Sequence, residues 1–151
     1  MDKKQLVVLI RQCGNLSPNM RLGQLLCNAV FHFSNSNTNN YNNLLFDATL
    51  QDEILEKAIA YYLPMCKCFA DNPSKEYGKQ TWKENKEVVR EKILEQLLLY
   101  PQWSIGMTLA QFAYWGSYRT PSNLTVVEDE ILLEGALNPR EDLFQPNEHL
   151  S

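Results

Sequence analysis

The chain has 151 residues, a formal net charge of −4 and a hydrophobic share of 44%, with a sequence pI near 5.2. That is the size of one ordinary globular domain with a real core, and the acidic balance argues against a general nucleic-acid binder, which needs a basic face. No run approaches the roughly 18 apolar residues of a membrane span. Leu6–Ile10, five apolar residues before Arg11, is too short for a signal-peptide core. A cytoplasmic location is therefore expected, with the four cysteines as reduced thiols.

Residues 4–13 place Leu6, Leu9, Ile10 and Cys13 on one helical stripe. A short strand through Leu6–Ile10 is the alternative, because periodicity alone cannot settle so short a run. Gly14 and the Asn15-Leu16-Ser17-Pro18 stretch read as breakers. Over 19–33, Leu22, Leu25, Leu26, Ala29, Val30 and Phe33 follow the i, i+3, i+4 rule and predict an amphipathic helix. The Asn- and Ser-dominated stretch Ser34–Asn43 reads as a loop, and Leu44–Phe46 as a short extended or turn segment. Thr49 with Asp52 predicts a capping box. The helix it opens carries Ile54, Leu55, Ala58, Ile59 and Tyr62 and is expected to stop at Leu63-Pro64.

Met65–Ala70 gives one or two helical turns before the breakers Asn72-Pro73 and Gly78. A long charged helix is predicted over 80–99, with Trp82, Val89, Ile93 and Leu97 inward and Lys and Glu outside. Pro101 ends it. Residues 102–115 restart a helix with Ile105, Leu109, Phe112 and Ala113 buried. Tyr118–Asn123 reads as a loop, Thr125 with Glu128 as a second capping box, and 127–137 as the last helix. In the tail from Arg140, Leu143-Phe144 is expected to pack on the body and the rest to fray.

The same frame occurs twice. Pro18, Leu22, Gly23, Leu26 and Ala29 recur at identical spacing as Pro101, Ile105, Gly106, Leu109 and, loosely, Phe112. Asp52-Glu53-Ile54-Leu55 recurs unchanged as Asp129-Glu130-Ile131-Leu132, after a shorter connecting loop. The expected fold is all-α: a single compact helical domain, 1–151, of about six helices built from two degenerate repeats. Repeat one covers about 5–63, a connecting segment 64–85, repeat two about 86–137, and a tail 138–151. Neither half, at roughly 50 residues, buries its apolar faces alone.

The most distinctive polar pattern is Arg21, Gln24 and Asn28, on one face of the second helix and read as lying away from its apolar stripe. The second copy has Ser104, Met107 and Gln111 there. One reading is a recognition face kept in one copy. The plainer one pairs Arg21 with Asp52 or Glu53 and leaves Gln24 and Asn28 exposed. Tyr114, Trp115, Tyr118 and Arg119 form an aromatic–basic cluster of the kind enriched at binding hot spots, though such rings are as often core or boundary residues.

Gly23 and Gly106, costly inside helices, are read as points of close helix approach. The acids of Asp52-Glu53 and Asp129-Glu130 suit helix starts better than acid–base catalysis. Cys66-x-Cys68 with Cys13, Cys27, His32 and His149 lacks zinc-site spacing; Cys13 and Cys27 read as core thiols. No phosphate loop, nucleophile elbow or His-Glu-x-x-His is present, so no catalytic residue, metal or cofactor is expected.

The motif Pro18-x-x-Arg21-x-Gly23-Gln24-x-x-x-Asn28, followed by Phe46 and Asp52-Glu53-Ile54-Leu55, resembles a widespread set of short bacterial proteins of unassigned function that look like single copies of the pattern. The resemblance covers 18–59 well and 101–137 loosely, and implies a bacterial, intracellular setting.

The expected function is a non-enzymatic intracellular protein-binding module, an immunity or adaptor protein with a protein partner. One alternative is a small-ligand binder or enzyme with a site near Arg21, Gln24 and Asn28; a deep pocket there would favour it. Another is a subunit of a nucleoprotein complex using Lys75, Lys79, Lys83 and Lys86, which Glu76, Glu84 and Glu87 interrupt.

Overall fold

Six α-helices are present among the described residues: α1 (Lys3–Leu16), α2 (Leu22–Asn37), α3 (Asp52–Asp71), α4 (Lys86–Leu97), α5 (Ile105–Trp115) and α6 (Asp129–Leu137). The structure is a computed structural model describing residues 2–18, 20–37, 52–71, 86–116, 124 and 127–138. All described elements are helical, as the periodicity predicts. Thr49, Thr125, the loop and turn readings at 38–46 and 118–123, residues 72–85 and the tail from 139 lie outside the described residues.

The apolar stripes turn inward as read. Leu22, Leu25, Leu26, Ala29 and Val30 of α2 are buried, as are Leu55, Ala58, Ile59 and Tyr62 of α3 and Ile105, Leu109, Phe112 and Ala113 of α5. They join Leu6, Ile10, Ile93 and Leu97 in one hydrophobic core. Helix α3 packs along both α1 and α2, and α6 along both α4 and α5. Helices α1 and α4 also meet, with an Arg11 Nε–Glu91 Oε1 pair of 2.7 Å between them. Both partners are more than a third exposed, so this pair contributes only about 0–1 kcal/mol.

Three boundaries differ from expectation, each because packing overrides local propensity. Helix α1 runs through Gly14 to Leu16, and the Ser17 N–H then caps it on the carbonyls of Cys13 and Gly14. Helix α2 continues to Asn37, and Ser34 is only 4% exposed. Helix α3 passes straight through Pro64 to Asp71. Proline there removes the bond to the carbonyl of Ala60, but both residues are on the exposed side of the helix. The opposite side holds the helix together through Tyr62 and Cys66, 1% and 0% exposed.

The helix starts are tied crosswise. The Leu22 N–H, opening α2, donates to Asp129 Oδ1 at 2.8 Å. The Ile105 N–H, opening α5, donates to Asp52 Oδ1 at 2.8 Å. Each acid stands in the first turn of its own helix yet satisfies an orphan amide of a helix in the other half of the chain. Glu128, read as the far member of the second capping box, is itself the N-cap of α6 and makes no side-chain capping bond.

The turns are clamped crosswise too. Met20 N–H donates to Ser17 O and Trp103 N–H to Tyr100 O, both at 3.1 Å, at corresponding positions of the recurring sequence frame. Lys3 Nζ, from α1, donates to Tyr100 O at 2.8 Å and also to Trp103 O. Burial lowers the pKa of this ammonium and the Asp52 carboxylate opposes that shift. Arg90, from α4 and 5% exposed, reaches back to Ser17 O at 3.4 Å and Met20 O at 3.5 Å through Nη1. A cation beside the carbonyls that end α1 also complements the helix dipole. Arg90→Met should therefore lower stability by about 1–3 kcal/mol, read as a fall in urea midpoint; an unchanged midpoint would remove the clamp from the account.

Candidate functional site

Helix α2 carries the polar stripe. The Arg21 carbonyl accepts the Leu25 N–H at 2.8 Å, which places Arg21 at the entry of the helix, with Gln24 and Asn28 one and two turns on. The stripe is not the free outer face that the sequence suggests. Arg21, Gln24 and Asn28 are all half-buried. Helix α2 is flanked on two sides. Helix α3 lies along it, and at Gly23 a Cβ would fall 2.1 Å from the Leu124 carbonyl oxygen, so backbone packs directly on that side. Gly23 is thus a point of close approach, but to the Leu124 backbone and not to a neighbouring helix as read.

Within the stripe, Gln24 Oε1 is covered and has no hydrogen-bond partner among the described residues. Asn28 Nδ2 donates to Met20 Sδ at 3.6 Å, and the Tyr62 hydroxyl donates to the same sulfur at 3.8 Å. A thioether is a weak acceptor, so these contacts position side chains more than they hold them. The next turn adds rings. His32 stacks on Tyr62 with centroids 5.6 Å apart and meets Phe31 edge-on at 5.5 Å. Phe33 lies 6.1 Å from Tyr61. Phe31 and Tyr61 stay 49% and 44% exposed, well above what an ordinary buried ring shows. Sequence reasoning passed over both as contact residues. The signal for Phe31 was present in Phe31-His32-Phe33, an aromatic run wider than the apolar stripe needs.

The second cluster divides. Tyr114 is 37% exposed, but Trp115 is only 8% exposed and is turned inward. It closes an aromatic box with Tyr100 at 6.0 Å, Trp103 at 6.0 Å and Phe112 at 6.1 Å. Its Nε1 is buried without a partner among the described residues. The box follows the turn that Lys3 clamps, and it gives Trp115 a packing role. Tyr118 and Arg119 lie outside the described residues, as do Lys75, Lys79 and Lys83; Lys86 opens α4.

A cleft between α1 and α4 is lined by Ile10, Arg11, Gly14, Asn15, Leu22, Arg90, Glu91 and Leu94, with an empty volume of about 430 Å³ that includes open solvent. None of Arg21, Gln24 and Asn28 lines it.

The cysteines separate by helix geometry. Cys66 is 0% exposed and Cys68 is exposed, because positions two apart on a helix lie about 200° apart around its axis. Cys66, like Cys13 of α1, is instead fully buried in the core, on helices that pack along one another. Cys13 Sγ lies 3.9 Å from the Ile59 carbonyl oxygen. Cys66, then burial, pushes the Cys13 thiol up. Cys13 pulls the Cys66 thiol down against the effect of burial, with help from Ser17. No group of three His, Cys, Asp or Glu side chains able to hold a metal ion occurs among the described residues, and no described helix is long and apolar enough to cross a membrane. Comparison with models of protein families, with curated proteins and with solved structures returned no match.

Proposed function

We propose that the chain is a non-enzymatic intracellular protein-binding module, an immunity or adaptor protein, built from two copies of one helical unit of which the first keeps a recognition face. The face comprises Arg21, Gln24 and Asn28, with Phe31 and Tyr61 as exposed aromatic anchors. Tyr114 is a secondary contact.

The observation that carries this reading is at the start of α2. The counterpart of Arg21 in the second copy is Ser104, which caps α5 by accepting the Met107 N–H on Oγ at 3.1 Å. The Arg21 side chain carries no acceptor atom and brings positive charge to the positive end of a helix dipole. Helix α2 therefore forgoes a side-chain cap worth about 1 kcal/mol, while the apolar frame around it is retained. Residues that break a local rule inside an otherwise consistent element mark function. Arginine and aromatic side chains are also the types enriched in protein interfaces. The cleft between α1 and α4 leaves out all three stripe residues, which favours a surface for a protein over a pocket for a small ligand.

The test is site-specific photo-crosslinking in cells of the source organism. A photoreactive residue at Phe31 should give one discrete cross-linked protein. The same group at Val88 on α4, 51% exposed, should not. Arg21→Ser, which installs the cap that α5 has, should keep the helical circular dichroism and lose the product. Equal products at 31 and 88, or none at 31, would sink the proposal.

A further inference from the structure

We propose that the cleft between α1 and α4 is a binding site for a small aliphatic carboxylate, a monoanion with a short apolar tail. The cleft joins an apolar wall to a covered cation. Ile10, Leu22 and Leu94 border it and are 1%, 1% and 2% exposed. Arg90 borders it too and is 5% exposed. Arg11 and Glu91, paired at 2.7 Å and each more than a third exposed, are the other charged members of the lining.

The chemistry of the lining selects the ligand. The empty volume of about 430 Å³ includes open solvent, which places the cleft at the lower end of the roughly 300–1,000 Å³ of small-molecule sites. The lining holds two guanidiniums against one carboxylate, and that excess of positive charge disfavours a cation. A neutral aliphatic molecule would displace water from beside a covered charge and offer it nothing in return. A carboxylate with a tail answers both needs. Its tail removes the surfaces of three aliphatic side chains from water, and its oxygens match the planar fork of a guanidinium. That fork has five N–H donors. Meeting a carboxylate therefore does not require Arg90 Nη1 to give up its long contacts to Ser17 O and Met20 O, at 3.4 and 3.5 Å.

Gly14 keeps the approach to Arg90 clear. A Cβ at this position would fall 3.3 Å from Arg90 Nη1 and 3.6 Å from its Cζ, so a larger residue on that turn of α1 would lie against the guanidinium. The Arg11–Glu91 pair is the adjustable element. Such an exposed pair contributes little to stability, so Arg11 turns toward a ligand at small cost. Glu91 is the member of the lining that opposes an anion. None of the stripe residues of α2 borders the cleft, so this site does not depend on the recognition face proposed above.

The experiment is an amide NMR titration of the full chain with butanoate at constant ionic strength. Butanol and butylammonium, which carry the same tail under other head groups, are the comparison ligands. Butanoate should give saturable shifts at the amides of Gly14, Arg90 and Leu94, with a Kd on the order of 1 mM. Acetate, shorter by two methylenes, should bind roughly tenfold more weakly. Butanol and butylammonium should give no saturable shifts there. Glu91→Gln should tighten butanoate binding severalfold, a gain that a damaged fold does not produce. Gly14→Ala should weaken it while keeping the helical circular dichroism. Absence of saturation by butanoate, equal binding of butanol or of the amine, or shifts centred elsewhere in the chain would each overturn the assignment. Unchanged or weaker binding in Glu91→Gln would overturn it as well.

Discussion

Gly135→Ala should destabilise the protein strongly, although alanine is the better helix former. Propensity alone favours alanine over glycine by about 1 kcal/mol in a helix interior. Packing acts in the opposite direction. A Cβ at Gly135 would fall 1.8 Å from the Phe112 carbonyl oxygen and 2.9 Å from the Gly116 backbone nitrogen. From the other side, a Cβ at Gly116 would fall 2.6 Å from the Ile131 carbonyl oxygen. Helices α5 and α6 thus cross with backbone on backbone, and no flexible side chain is present to move aside. Restoring normal contacts forces the helices apart and loosens Phe112 and Leu132, both fully buried. Overpacking of this kind costs about 1–3 kcal/mol and occasionally more; with backbone as the obstacle, a net loss of about 3 kcal/mol is expected. For a domain of this size that is a fall in Tm of roughly 10 °C. Gly23→Ala, facing the Leu124 carbonyl, should act in the same direction. Thermal and urea unfolding decide the matter by sign: a Tm equal to or above that of the parent would show that propensity wins and the close crossing carries no weight.

What the sequence disclosed was burial, because a helical period reports directly which side chains leave water. The stripes of α2, α3 and α5 were legible for that reason. What it concealed were contacts between residues far apart, which have no local period. Asp52 and Asp129 look like ordinary first-turn acids; only the fold shows that each serves a helix in the other half. Nothing local in the sequence marks Lys3 and Arg90, which clamp turns in the opposite half of the chain. Pro64 hid most. Taken as a stop, it cut Cys66 away from the helix that buries it in the core. The polar stripe was half legible. Its residues and register are as read, but its depth is not: all three are half-buried, and burial against other helices is a tertiary fact.

Asp129→Ala should damage α2, a helix distant in sequence, more than it damages its own helix. Asp129 is 0% exposed and its Oδ1 takes the Leu22 N–H at 2.8 Å. Removing the carboxylate deletes a charge-assisted bond and strands a buried amide, each worth about 1–3 kcal/mol. Relief from burying a charge offsets part of that, so a net loss of about 3 kcal/mol is expected. Asp129→Asn keeps an acceptor of the same shape and should recover most of it. Asp52 is only half-buried, and Ser104 also caps α5, so Asp52→Ala should cost nearer about 1 kcal/mol. Amide hydrogen exchange separates this account from a simple dipole effect. In Asp129→Ala, protection should fall at Leu22 and the following turn of α2. In Asp52→Ala it should fall at Ile105 and the following turn of α5. If each substitution deprotected only the helix in which it stands, the acids would be acting on their own dipoles. The crossed bonds would then be incidental, and the halves would be joined by their apolar core alone.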